Sequence, residues 1–146
     1  MAKHEHAHHN EAAEAQQKIL MYQILQQQLE ELRRQIAVVE TRIAEIDMAK
    51  EAMEEISKQK ESSDILIPMG NGFYMKGTAS GKNILADIGA GIIVEKPAKD
   101  SLKMLMEKRK EFEKRKEEIE RDFNNTAKTI NEMIPEIQKL SETLQK

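Results

Sequence analysis

The sequence predicts an α+β chain in which a long antiparallel two-helix coiled coil is joined through two central β-hairpins. Three observations predict it. Tyr22, Leu25, Leu29, Leu32, Ile36, Val39, Ile43 and Ile46 follow one another at alternating steps of three and four. The same alternation runs through Leu102, Leu105, Phe112, Ile119, Phe123, Ile130, Met133, Ile137, Leu140 and Leu144, with Arg109, Lys116 and Thr126 taking three of its positions. Such spacing gathers apolar side chains on one narrow helical stripe, the seam of a coiled coil. Between the ladders, a glycine-rich stretch at 64–97 reverses the chain, so the two helices can lie antiparallel.

Composition agrees with a thin core. Charged residues make up 34% of the chain and aromatic residues 3%, with no Trp. Few bulky groups exist to fill a thick globule, whereas long helices with a charged exterior need none. A net charge of −3 provides no basic face for nucleic acid or an anionic membrane. The chain has no Cys, which excludes disulfides and thiolate metal sites and suits a reducing compartment. No signal-peptide-like stretch opens it. Its most apolar stretch, Ile84–Val94, contains Asp87 and is too short to span a bilayer. A soluble cytoplasmic protein is expected.

Residues 1–10 are polar and aperiodic, a disordered tail. The first helix occupies 11–61, its ladder loosening where Lys50 takes a seam position. The double hairpin occupies 62–97. Ile65, Ile67 and Met69 alternate with Leu66 and Pro68, Gly70-Asn71-Gly72 turns the chain, and Phe73-Tyr74-Met75 returns it. Pro68 has no N–H to donate, so its strand is an edge or is bulged there. Gly77–Gly81 forms a looser connection. Ile84–Ile88 and Ile92–Val94 then flank Gly89-Ala90-Gly91 as a second hairpin. Short strands with apolar residues on both faces cannot satisfy themselves, so pairing with other chains is expected. The second helix occupies 98–146, with Pro97 or Asp100 marking its start. Pro135 falls at an outward heptad position, where a kink spares the seam.

Residues that suggest chemistry give little. Gly77–Asn83 resembles a phosphate loop, but the spacing between its glycines is one residue short. Asn83 replaces the magnesium-binding hydroxyl, and a strand follows instead of a helix. His4, His6, His8 and His9 form a His-rich tract without preformed geometry, so no metal site is assigned. Carboxylates lie at solvent-facing helix positions, where i,i+4 ion pairs are the ordinary role. No nucleophile, base or acid is placed for reaction, and neither an enzyme nor a cofactor is expected.

The sharper signal is apolar residues where a coiled coil should be polar. In Ile19, Leu20, Met21, Tyr22, Ile24 and Leu25, only Tyr22 and Leu25 belong to the seam. Antiparallel pairing sets this segment beside Met133, Ile134 and Ile137. Two readings stand at this point: a binding patch at the arm's tip, or a widened seam that packs on a neighbouring subunit.

The stretches Ile65–Gly77 (ILIPMGNGFYMKG) and Ile84–Lys96 (ILADIGAGIIVEK) resemble the central region of alpha-class prefoldin subunits. That resemblance implies an ATP-independent chaperone that captures unfolded polypeptides at coiled-coil tips and delivers them to the cytosolic chaperonin. It implies two alpha and four beta-class subunits assembled through an intersubunit β-barrel. Ile65, Ile67, Met69, Phe73, Met75, Ile84, Ile88, Ile92 and Val94 would then serve assembly, and the patch around Leu20 would bind clients. A coiled-coil scaffold or a filament-forming prefoldin relative is the alternative.

Overall fold

A computed structural model describes the backbone of residues 2–58 and 61–144 and the side chains of 12–58 and 61–142. Helix α1 spans Ala2–Lys58 and helix α2 spans Ala98–Leu144. Between them lie β1 (Ser62–Gly70), β2 (Phe73–Ser80), β3 (Asn83–Asp87) and β4 (Ile93–Pro97). The strands form two separate two-stranded antiparallel sheets, β1-β2 and β3-β4. The chain divides into two compact units: residues 1–40 with 114–146, and residues 41–113.

Helix α1 begins at Ala2 and not at residue 11, where apolar periodicity starts. No Gly or Pro interrupts residues 2–18, and Ala and Glu recur there, so backbone propensity carries the helix past its apolar stripe. In the first unit, Lys18 pairs with Glu136 at 3.0 Å, Arg33 lies over the Phe123 ring at 5.9 Å, and Lys116 pairs with Glu40 at 2.7 Å. Position rises along α1 as it falls along α2, which is antiparallel packing. Val39, Ile119 and Ile130 are buried and the other large seam residues are half-buried. Ala15 and Lys18 continue the seam beyond Tyr22. They escape a pattern read from large apolar residues.

In the second unit, Ile46 is buried, and Leu102, Leu105 and Phe112 are half-buried along the seam. Arg109 sits in that seam and donates to both carboxylate oxygens of Asp47, at 2.7 and 3.1 Å, and also pairs with Glu113. The guanidinium hydrogen bond and charge hold the Asp47 carboxyl below the ordinary Asp range. Lys116, in the first unit, is held above the ordinary lysine range chiefly by its hydrogen bond to Glu40.

The first hairpin turns on Asn71 and Gly72, both with positive φ (49° and 82°), as a two-residue loop between right-twisted strands requires. Its register shifts between Pro68 and Gly70, which is the irregularity expected of a proline in a strand. Both strands run further than their apolar cores. Ser62, Ser63 and Asp64 pair with Ser80, Ala79 and Thr78, so Thr78–Ser80 is strand and not loose connection. Backbone pairing needs no apolar side chain, hence no periodic trace. Pro97 ends β4 opposite Asn83, and α2 starts at Ala98. The Ala98 amide donates to the Lys82 carbonyl at 2.7 Å, tying the helix start to the second hairpin.

Ser101, in the first turn of α2, is only 3% exposed, and its hydroxyl has no hydrogen-bond partner among the described residues. An unpaired buried hydroxyl contributes nothing to stability. Ser101→Ala should therefore leave the urea midpoint unchanged or raise stability by up to about 1 kcal/mol; a clear loss would reveal an unrecognised partner. Asp47 makes the opposite prediction. Its carboxyl has a lower pKa folded than unfolded, so its stabilisation is present above the unfolded value of about 3.9 and fades as pH falls through the lower folded value. Thermal melts at stepped pH should show a lower neutral midpoint for Asp47→Asn and a shallower acid decline. Superimposable wild-type and variant profiles would refute the coupling.

Candidate functional site

In the first unit, residues 19–25 lie along α1 beside the 129–136 stretch of α2, as the Lys18–Glu136 pair requires. The predicted patch residues divide by burial into two sets on different sides of the helix. Tyr22, Leu25, Met133 and Ile137 are half-buried in the seam. Ile19, Leu20, Met21 and Ile24 are exposed, Leu20 at 58% and Ile24 at 51%, and on α2 Ile134 is exposed beside the half-buried Met133. Exposed apolar groups on this scale usually mark a contact surface. Because α1 starts at Ala2, the patch does not occupy the helix's first turns. Lys18 closes one border through Glu136 and, at 3.5 Å, Glu14. Its hydrogen bond to Glu136 raises the ammonium above the ordinary lysine range. The Gln26 amide donates to the Tyr22 hydroxyl at 2.8 Å, satisfying the one polar atom of that ring.

The second unit carries the sheets. Ile67 pairs with Met75 and Ile65 with Gly77, so Ile65, Ile67, Phe73 and Met75 share one face, while Leu66, Pro68 and Tyr74 share the other. Gly77 makes room on the first face: a Cβ there would sit 3.0 Å from Ile67 Cδ1. Met69 lies at the bulge and is exposed.

In the second sheet Ala86 opposes Val94, which groups Ile84, Ala86 and Val94 on one face, continued by Ile88 and Ile92. Ala86 and Ile88 line a cavity of about 610 Å³ with Met53, Ser101, Met104 and Leu105. Ile84 and Val94 are accordingly half-buried, whereas Leu85 and Ile93 on the opposite face are 71% and 64% exposed. Leu66, Tyr74, Leu85 and Ile93 are exposed apolar residues outside the expected assembly set. Apolar residues at consecutive strand positions were the available signal, but alternation alone does not say which face the helices cover.

The Gly77–Asn83 loop motif has no cradle geometry. Gly77–Ser80 lies in β2, paired with β1, and β3 follows. Among the described residues, no group of three or more His, Asp or Glu is placed to hold a metal ion. The side chains of His4, His6, His8 and His9 lie outside the described set. No helix among the described residues is long and apolar enough to cross a membrane.

Comparison with known proteins gives one consistent result. The family profile described as "Prefoldin subunit" matches residues 25–143. Prefoldin subunit alpha of Thermofilum pendens is 32% identical over 113 residues, covering 77% of this chain and 88% of that protein. The subunit alpha of Pyrococcus horikoshii is 26% identical over 123 residues, covering 83% of each chain. That of Methanococcus vannielii is 25% identical over 134 residues, covering 91% and 90%. In fold, the chain is similar to one in the cryo-EM structure of filamentous PFD from Methanocaldococcus jannaschii. The TM-score is 0.64 at 17% identity, over 83% of this chain and 98% of that one.

Proposed function

The chain belongs to the prefoldin family, and from that premise we propose that it acts as an alpha subunit that captures unfolded polypeptides without using nucleotide. The observation that carries this reading is the patch of Ile19, Leu20, Met21 and Ile24, exposed on α1 in a chain that is otherwise heavily charged. Tyr22, Leu25, Met133, Ile134 and Ile137 support or extend it. A few aliphatic side chains on a helix hold a client weakly. Several such patches in one complex raise effective concentration, so avidity is high while each contact stays reversible. Release then needs only a competing receptor, for which the cytosolic chaperonin is proposed.

The sheets supply the assembly surface in this reading. Ile65, Ile67, Met69, Phe73, Met75, Ile84, Ile88, Ile92 and Val94, joined by Leu85 and Ile93, meet strands of other subunits in a β-barrel. Two alpha and four beta-class chains are the proposed stoichiometry. A second reading, self-assembly into a filament through the same faces, draws support from the filamentous assembly named for the similarly folded Methanocaldococcus chain. Light scattering of sizing-column fractions separates them: a defined mixed complex with a beta-class partner favours the chaperone, and concentration-dependent growth of the chain alone favours the filament.

Two substitution tests follow. Leu20→Ser with Ile24→Ser should markedly reduce suppression of light scattering by a diluted, denatured client, with complex size unchanged. Undiminished suppression refutes the patch. Leu85→Glu with Ile93→Glu should shift the complex toward free subunits on a sizing column while helix content by circular dichroism persists. A complex of wild-type size would show that this face is not an interface.

A further inference from the structure

We infer that the patch on α1 extends into a glutamine-lined groove that meets the peptide backbone of the client, so that it selects extended aliphatic segments without regard to their charge. This rests on the capture reading and deepens it.

Residues 19–29 carry no charged side chain, in a chain of which 34% is charged. Leu20 and Ile24 are one helical turn apart on the outward side of α1, and Gln23 and Gln27 continue that side. Gln23, Gln26, Gln27, Glu30 and Arg34 line an open concavity of about 500 Å³ on α1, and Gln23 and Gln27 are the helical neighbours of Leu20 and Ile24 at three- and four-residue steps. Gln26 spends an amide hydrogen on the Tyr22 hydroxyl and keeps its carbonyl oxygen available. Gln23 and Gln27 make no side-chain hydrogen bond among the described residues.

A glutamine amide both donates and accepts and carries no charge. An extended chain presents unpaired N–H and C=O groups along its whole length, so the groove matches what every unfolded client shares. The charges in and beside it are already paired: of the lining residues, Glu30 with Arg33 at 3.5 Å and Arg34 with Glu31 at 2.9 Å, and beyond them Lys18 with Glu136 and Glu14. Little net field remains to favour a basic or an acidic segment. A lining of unpaired Lys or Glu would instead select clients by charge and lose grip in salt.

The test uses the full complex with a beta-class partner and three labelled peptides of equal aliphatic content, flanked by Gln, by Lys or by Glu. Affinities are read by fluorescence anisotropy at low and high salt, for wild type, Gln23→Ala with Gln27→Ala, and Leu20→Ser with Ile24→Ser. Helical content and complex size confirm that each variant is folded. The glutamine variant should weaken all three peptides by a similar factor, at least about 5-fold for two lost hydrogen bonds, with a salt response no larger than wild type's. An unaltered affinity in that variant, with weakening by the Leu20/Ile24 variant, overturns the groove and leaves capture by the patch standing. No weakening in either variant overturns the capture reading itself. A wild-type complex that binds the Lys- or Glu-flanked peptide about tenfold tighter, with an advantage lost in salt and lost in the glutamine variant, also overturns the inference.

Discussion

The constraint on which everything else depends is the narrowness of the seam. With so few aromatic residues and only a few buried side chains among the described residues, the two helices have little apolar area with which to choose a register. Aliphatic residues repeated every heptad would pack almost as well after a one-heptad slip. The seam's polar members reduce that degeneracy. Arg109 and Lys116 each reach an α1 carboxylate that directly follows a buried seam residue, Asp47 after Ile46 and Glu40 after Val39. A one-heptad slip in one direction would set Lys116 against Arg33, whereas the opposite slip would still offer Glu54 and Asp47 to the two cations, so these pairs oppose slippage in one direction. Surface ion pairs add little stability, but polar groups at seam positions are a recognised way to specify register at some cost in stability. Register in turn decides which α2 residues stand beside Leu20 and Ile24.

A second constraint comes from the sheets. Each has two strands, and so two unpaired edges, and each exposes large apolar side chains. A lone hairpin is marginal in water, and here neither face is fully covered. The second sheet gains partial cover on the Ala86 face from Met53, Met104 and Leu105, and the Ala98–Lys82 bond anchors it to α2. Leu85 and Ile93 have no such cover. The strands thus combine unpaired edges with exposed apolar side chains, a surface on which the proposed association would pair backbone as well as bury side chains.

What was legible in the residues follows from which interactions leave a pattern. Large apolar side chains at three- and four-residue steps mark a seam directly, so the ladders from Tyr22 to Ile46 and from Leu102 to Leu140 match the burial observed. Asn71-Gly72 and Pro68 announce their turn and irregularity through backbone chemistry that few residues share. Ala15 and Lys18 share the seam although one is small and the other charged. Ser62–Asp64 and Thr78–Ser80 pair through backbone atoms alone. The helical start at Ala2 rests on the absence of breakers, which is a weaker signal than periodicity. The cover over the Ala86 face depends on where the helix segments around Met53 and Leu105 come to lie, and local alternation cannot express that. For the patch, the residues and their division were both legible, since heptad phase alone assigns Tyr22 and Leu25 to the seam and Leu20 and Ile24 to the outward side; what it could not supply is how far each is exposed.

The same phase explains why the patch can stay exposed. An apolar group at an outward heptad position gains nothing from the seam, so evolution or chance can place charge there at no structural cost, as it does at Glu30, Glu31 and Arg34. Over residues 19–29 the outward positions hold Leu20, Gln23, Ile24 and Gln27 instead. Solubility alone would be served better by lysine or glutamate. Packing alone would be served as well by alanine, which favours the helix more than glutamine does. Aliphatic groups beside neutral amides satisfy neither demand best, yet together they match an extended, unfolded peptide, which offers apolar side chains and unpaired backbone groups in the same few ångströms. A surface suboptimal for the helix and complementary to a disordered chain is intelligible as a contact made outside the fold.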